Sequence, residues 1–210
     1  KGIWGEDLAM AAAMQLGYKE SIENFTVAED GSRKGYTRYG AFAGDPYGNW
    51  DAAFVSFCLH YAGIQSKDAE TPVFPKVADS AKWCEEFGKM SEGNSAFLTG
   101  PEGYVPAAGD LIFSQRENEE TAVQMGIVAS FDQEKNEIHV IEGNSQNEVK
   151  ENIYPLGEAH IVRFLKLTEL EAACRAAAEV PAEQDPAGPA ETEEGGKIFT
   201  TEDPEGQEDP

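Results

Sequence analysis

The sequence predicts an α+β domain in which helices come first and a curved antiparallel sheet of about five strands follows. Apolar residues in the first third recur at helical spacing, whereas short runs with strand-like character predominate after Tyr104. Turn-forming segments, "DQEKNE" at 132–137 and "GNSQNE" at 143–148, separate some of these runs. Helices followed by a run of strands are typical of a fold that packs its helices on one side of the sheet.

Three helices are predicted in the first 90 residues. The first, at 6–16, is rich in alanine and is ended by Gly17. The second spans 50–62, with Asn49 as the expected N-cap residue. A third is expected at 77–90, where apolar residues are spaced for packing on one face. The polar stretch between the first two helices has the composition of a loop.

The second half of the domain is predicted to form strands and one closing helix. The closing helix is expected at 167–179, directly after the last strand. The β candidates are 110–114, 124–131, 137–143, 150–156 and 160–167.

Charge divides the chain into two parts. The whole sequence has 39 acidic residues against 16 Lys and Arg, a formal charge of −23. The segment 180–210 contains ten acids, one lysine and five prolines, so we interpret it as a disordered tail or linker. The domain is therefore expected to be 1–179. Its remaining negative charge argues against direct binding to nucleic acid or to an anionic membrane.

The cysteines and the apolar runs exclude several further classes of protein. Three cysteines at 58, 84 and 174, with no C-x-x-C pair, predict neither a disulfide framework nor a zinc site. No run of 18 apolar residues is present, so no membrane insertion is expected. Because the sequence starts at Lys1 rather than Met, we expect a processed or excised piece with further domains beyond it.

The second helix is predicted to begin with an acidic residue, Asp51, followed by a mainly apolar segment, in "YGNWDAAFVSFCLHYAGI". Residues 54, 57, 58 and 61 follow the spacing of one buried helix face, and Asp51 falls in the first turn. Exposed N–H groups and the helix dipole favour a negative charge at that place. Asp51 on its own therefore indicates only a stabilised helix start.

Four segments taken together resemble a known family. They are "GYTRYGAFAGDPYGNWDAAFVSFCLHYAGI", "PAAGDLIFS", "QMGIVASFD" and "IEGNS". They are similar to the CHAP family, the cysteine- and histidine-dependent amidohydrolases and peptidases of bacterial cell-wall turnover. The resemblance covers about residues 6–167 and implies a papain-like core. It also implies an extracellular or cell-envelope location in a bacterium and no cofactor.

The resemblance assigns four positions to the family's catalytic site. Asp51 stands where the family has its nucleophilic cysteine, and Gln124 stands where it has its general-base histidine. The polar positions on the following strand, Glu142 and Asn144, are retained. A carboxylate is a much poorer nucleophile than a thiolate, and a glutamine side chain cannot accept a proton near pH 7. Loss of both members of such a pair predicts loss of nearly all their rate enhancement.

Other residues could supply catalysis only in less usual ways. Cys58 lies on the apolar stripe of its helix, where burial disfavours a thiolate. The three histidines, at 60, 139 and 160, are interpreted as structural or surface residues. Asp51 and Glu142 could lie across one cleft and act as an acid–base pair, if their separation allowed it. No calcium-loop series of acids appears, so no metal site is expected.

The sequence thus predicts a catalytically inactive CHAP-like domain that binds, or acts as a spacer, at peptidoglycan. The stem peptide of peptidoglycan is the expected ligand, and Tyr47 and Trp50 could line its groove. Two alternatives stay open. One is an active peptidoglycan amidase or endopeptidase that uses non-standard residues, and the other is a purely structural spacer.

Overall fold

The computed structural model describes residues 2–64, 74, 80, 82–83, 97–115, 123–158 and 160–179. The predicted tail at 180–210 lies outside this part of the chain, and so does most of the helix predicted at 77–90. Within the described ranges, no helix is both long enough and apolar enough to cross a membrane.

Four helices are described over their full length, and three of them confirm the sequence prediction. They are α1 (Trp4–Ala13), α2 (Arg38–Ala43), α3 (Asp51–Tyr61) and α4 (Leu167–Glu179). The first helix ends earlier than predicted, with Met14 as its C-cap residue. Gly63, with φ of 70°, follows the end of α3 in the left-handed conformation that favours glycine at a helix terminus.

In the described part of the chain, the strands form a two-stranded hairpin and a six-stranded sheet. The hairpin consists of β1 (Phe25–Val27) and β2 (Arg33–Gly35). The sheet is antiparallel throughout and has the order β3-β8-β4-β5-β6-β7. Its strands are β3 (Leu98–Thr99), β4 (Leu111–Gln115), β5 (Val123–Asp132), β6 (Glu137–Glu142), β7 (Lys150–Pro155) and β8 (Ile161–Leu165). All five predicted strands are confirmed, and β3 adds a sixth at one edge.

The segment predicted as a loop between α1 and α3 is partly ordered into regular structure. Asp30 accepts a hydrogen bond from the Ser32 backbone at 2.8 Å and so shapes the tip of the β1–β2 hairpin. The Thr37 hydroxyl caps α2 by accepting a hydrogen bond from the Gly40 N–H at 2.9 Å. These elements are too short to show a hydrophobic period, which is why sequence periodicity missed them.

Both faces of the large sheet are buried. On one face α1 and α3 pack against side chains from the central strands, namely Leu111, Phe113, Met125, Ile127 and Ile141. On the outer face a second cluster forms around Ile112, Val128, Val140 and Phe164. Tyr104 and Tyr154 pack against this second cluster. The strand alternation therefore decides which side chains can meet α3.

A fully buried carboxylate, Asp110, fixes the start of β4 to the rest of the domain. Its Oδ2 accepts hydrogen bonds from the Tyr104 hydroxyl at 2.6 Å and from the Ala107 N–H at 2.8 Å. Its Oδ1 accepts from the Leu167 N–H, the first residue of α4, at 2.9 Å. Burial raises the pKa of Asp110, while these three donors act in the opposite direction.

Candidate functional site

Asp51 is the first residue of α3 and is completely buried. The N-cap residue is Trp50, with no side-chain capping bond, so the prediction of Asn49 as the N-cap residue is wrong. The Asn49 side chain instead accepts a hydrogen bond from the Asn144 amide, on the turn after β6. The helix start is thus held by contacts to the sheet rather than by a local cap.

The Asp51 carboxylate bonds to the backbone of β5. Its Oδ2 accepts a hydrogen bond from the Met125 N–H at 3.1 Å. Pairing between β5 and β6 ends at Gly126 and Glu142, so Met125 lies one residue beyond the ladder. Val128 donates towards β4, and alternation along the strand directs the Met125 N–H to the other side. Asp51 therefore supplies the acceptor where the β5–β6 ladder stops.

Gln124 does not form a pair with Asp51. The Met125 side chain belongs to the helix-side cluster, so alternation places Gln124 on the outer face together with Gly126. Within the described ranges, the Gln124 side chain makes no hydrogen bond, and its backbone carbonyl accepts one from the Ser114 hydroxyl at 3.5 Å. Gln124 and the Asp51 side chain therefore lie on opposite faces of the sheet.

Glu142 is buried on the outer face and is held by residues of β7. Its Oε2 accepts a hydrogen bond from the Tyr154 hydroxyl at 2.8 Å and another from the Asn152 amide. Burial and the nearby Glu142 carboxylate raise the pKa of Tyr154. A Cβ atom on Gly126 would lie 2.8 Å from the Glu142 Cγ, so glycine leaves room for this side chain.

Asn144 belongs to a turn with unusual backbone geometry. Asn144, Gln146 and Asn147 have φ values of 58°, 56° and 64°, in the left-handed region. Asparagine tolerates this conformation better than most residues, whereas glutamine gains less from local hydrogen bonding. A Cβ atom on Gly143 would lie 2.4 Å from the Phe54 Cβ, so the turn packs closely on α3. The turn at 143–148 thus brings Asn144 next to the start of that helix.

The thiols of the described residues have no activated environment. Cys58 is 1% exposed, and burial raises the pKa of its thiol. Burial also raises the pKa of the half-buried Cys174 thiol. A nucleophilic cysteine needs a lowered pKa instead. Cys84 lies outside the described residues.

The histidines take up positions away from the start of α3. His60 lies in the last turn of that helix, with its ring centroid 5.2 Å from that of Phe42. The His139 Nδ1 lies 3.2 Å from the Glu151 Oε1, across the β6–β7 pair. The His160 ring packs edge-on against Tyr154 at 4.8 Å. These contacts place each ring in a structural or surface setting, in agreement with the sequence interpretation.

The expected groove residues differ in exposure. Trp50 is fully buried, so the expectation that it lines an open groove is wrong. Its ring stacks on Tyr39 at 5.4 Å, and its Nε1 donates to the Glu20 Oε2 at 3.1 Å. Tyr47 is half-buried, and its hydroxyl donates to the Asn24 side chain at 2.9 Å. Sequence reasoning gave Glu20 no role, because its partner lies 30 residues away along the chain.

No group of three or more His, Cys, Asp or Glu side chains in the described ranges is arranged to hold a metal ion. The polar groups of the site are instead used for contacts between elements. Asp51 joins α3 to β5, Asn144 joins the turn to Asn49, and Glu142 joins β6 to β7. Such an arrangement can stabilise the fold, but it presents neither a nucleophile nor a base to a substrate.

No family model matches the chain, and no curated protein matches it. The solved structures that resemble it include the crystal structure of Ly7917, with 14% sequence identity and a TM-score of 0.44 over 79% of this chain. A second crystal structure of Ly7917, with the hydrolyzing product of MDP, has 14% identity and a TM-score of 0.45 over 77% of this chain. The chain spans 62% of the length of either neighbour. Both similarities are distant, and neither assigns the chain to a family.

Proposed function

We propose that this chain carries a catalytically inactive domain of the CHAP type, which binds or acts as a spacer at peptidoglycan in a bacterial cell envelope. The observation that supports this most is the state of Asp51. The residue at the nucleophile position is fully buried, and its carboxylate is bound to the backbone of β5. A group in this state serves the fold and is not presented to a substrate.

The remaining polar groups support the same proposal. Gln124 cannot act as a general base near pH 7, and its side chain lies on the other face of the sheet from α3. Glu142 is 2% exposed and already accepts two hydrogen bonds from β7. Two carboxylates that hydrolyse a glycosidic bond need access to the substrate and to water. The burial of Asp51 and Glu142 therefore argues against the alternative of an active hydrolase.

Co-sedimentation with purified peptidoglycan tests the proposed binding role. We expect the chain to pellet with peptidoglycan in a saturable manner and to stay in solution with chitin, which has a related glycan but no stem peptide. Soluble stem-peptide fragments should compete for binding. Equal recovery of the chain with peptidoglycan and chitin would assign binding to the glycan, and no recovery with either would leave only the spacer. Either result would contradict a stem-peptide binding role.

A further inference from the structure

A small groove lies between the β1–β2 hairpin and the turn at 143–148, and we call it the hairpin groove. It has a volume of about 170 Å³. Its lining includes Glu20, Ile22, Phe25, Arg33, Gly35 and Asn147. A dry cavity of about 150 Å³ can hold a molecule of the size of benzene. The hairpin groove therefore suits one small residue rather than a long ligand.

Arg33 brings a positive charge to this groove in an otherwise acidic chain. Its guanidinium lies 4.5 Å from the centroid of the Phe25 ring, a cation–π arrangement that holds an exposed side chain in place. Arg33 has no acidic partner among the described residues. A fixed guanidinium with free N–H groups matches the planar geometry of a carboxylate.

Apolar surface adjoins this charge. Ile22 is 85% exposed and Phe25 is 37% exposed, although both are large apolar side chains. Burial of such surface by a ligand is favourable in proportion to the area removed from water. A ligand with a carboxylate next to a small aliphatic group would use both features at once.

Glu20 connects the groove with the start of α3. Its Oε1 accepts a hydrogen bond from the Gly35 N–H at 2.6 Å, and its Oε2 accepts from the Trp50 Nε1. Both oxygens thus have donors within the protein, which offsets the charge that Glu20 would present to an anionic ligand. Trp50 directly precedes Asp51, so the groove lies beside the inactive site and is built from different residues.

We propose that the hairpin groove binds the carboxyl terminus of a peptide that ends in a small aliphatic residue. Arg33 pairs with the terminal carboxylate, and Ile22 and Phe25 contact the aliphatic side chain. The inference rests on the proposed function, because it names the part of a stem peptide that the domain would recognise. It assigns recognition to the hairpin, outside the four positions of the degenerate catalytic site.

Titration with N-acetyl-D-alanyl-D-alanine, followed by NMR of the backbone amides, tests this site on the intact chain. We expect saturable shifts at the amides of Ile22, Gly35 and Asn147. The same dipeptide with a carboxamide terminus should bind about ten-fold or more weakly, because it cannot form a charge-assisted hydrogen bond with Arg33. Equal shifts with the acid and the carboxamide would overturn the pairing with a carboxylate.

Two variants make the test specific for Arg33. Arg33→Gln should weaken binding of the acid about ten-fold or more, as expected for the loss of a charged donor. Lys34→Gln removes the same charge from the next residue of β2, whose side chain points to the other side of the hairpin, and should leave binding unchanged. An equal loss in both variants would show that general charge, and not the groove, attracts the peptide.

The same variants separate this inference from the proposed function. If the wild-type chain and Arg33→Gln pellet equally with peptidoglycan, the chain binds peptidoglycan but not through the hairpin groove. If neither pellets but the dipeptide still shifts the groove amides, the groove binds a terminal carboxylate and the wall-binding proposal fails. If the dipeptide causes no shifts in the wild-type chain, the inference is overturned, whether or not the chain pellets with peptidoglycan.

Discussion

Replacement of Asp110 by alanine is expected to lower the free energy of unfolding by about 3–5 kcal/mol, because three hydrogen-bond donors lose their shared acceptor. The Asp110 carboxylate accepts hydrogen bonds from Tyr104, Ala107 and Leu167. The variant leaves these donors without their acceptor and detaches the start of α4 from β4. Urea unfolding monitored by far-UV circular dichroism and by tryptophan fluorescence measures the effect.

Asp30→Ala is the matched control for this prediction. Asp30 is exposed and accepts a hydrogen bond from Ser32 within a turn, so its removal should lower the free energy of unfolding much less than removal of Asp110. A change of less than about 0.5 kcal/mol for Asp110→Ala, the range of ordinary surface substitutions, would contradict the role given to this carboxylate.

The contribution of Asp110 to stability is also expected to depend on pH. Burial raises its pKa in the folded state above the ordinary value of 3.8, so the folded state holds the proton more tightly. Its contribution to stability should be fully present below pH 3.8 and should decline as pH rises through the folded pKa. Comparison with Asp110→Asn over this range isolates the effect, since asparagine does not titrate. An unchanged difference between the two proteins would contradict the direction of the shift.

Asp51→Ala is expected to destabilise the chain by about 2–3 kcal/mol, because the buried Met125 N–H loses its acceptor and α3 loses a charge at its start. Asp51→Cys should cost a similar amount, since a thiol is a weak acceptor. The amide of Met125 should also exchange with solvent hydrogen faster in both variants. Urea unfolding and NMR-detected hydrogen exchange give these two quantities.

Glu6→Ala is the control for the helix-dipole effect alone. Glu6 lies in the first turn of α1 and is exposed, so its removal should cost about 0.3–1 kcal/mol. The account would be contradicted if Asp51→Ala lowered the free energy of unfolding no more than Glu6→Ala and left hydrogen exchange at the Met125 amide unchanged. The contact between α3 and β5 would then contribute nothing to stability.

The contacts of Asp51 also predict the effect of introducing a cysteine and a histidine at positions 51 and 124. The double change Asp51→Cys and Gln124→His introduces, at these two positions, the residue types of the family that the sequence resembles. It removes the acceptor for Met125, and alternation directs the new imidazole to the face away from α3. We therefore expect that the two substitutions alone do not produce cleavage of peptidoglycan, because they do not bring a thiol and an imidazole together.

Much of the fold could be predicted because its signals are local and repeated. The strands β4, β5, β6 and β8 are short runs rich in large apolar residues, and α1 and α3 are apolar-rich segments of helical length. The β1–β2 hairpin and α2 could not be predicted, since three-residue strands and a six-residue helix contain too few residues to show a period.

The contacts of the candidate site residues could not be predicted from the sequence. Asp51 and Met125 are 74 residues apart, and Trp50 and Glu20 are 30 residues apart, so no local pattern reports either bond. The burial of Trp50 was missed for this reason. The anchoring of Glu142 by Tyr154 depends on the β6–β7 register, which places Asn152 and Tyr154 on the outer face.

Digestion of purified bacterial peptidoglycan with the 210-residue chain, followed by mass spectrometry of the soluble products, tests the proposal that the domain is catalytically inactive. A catalytically competent CHAP enzyme serves as the positive control, and wall incubated in buffer serves as the blank. We predict a product profile identical to the blank at every time point. New amide-cleavage products that disappear in Asp51→Ala or in Glu142→Gln would contradict the proposal that the domain is inactive. They would assign catalysis to a buried carboxylate.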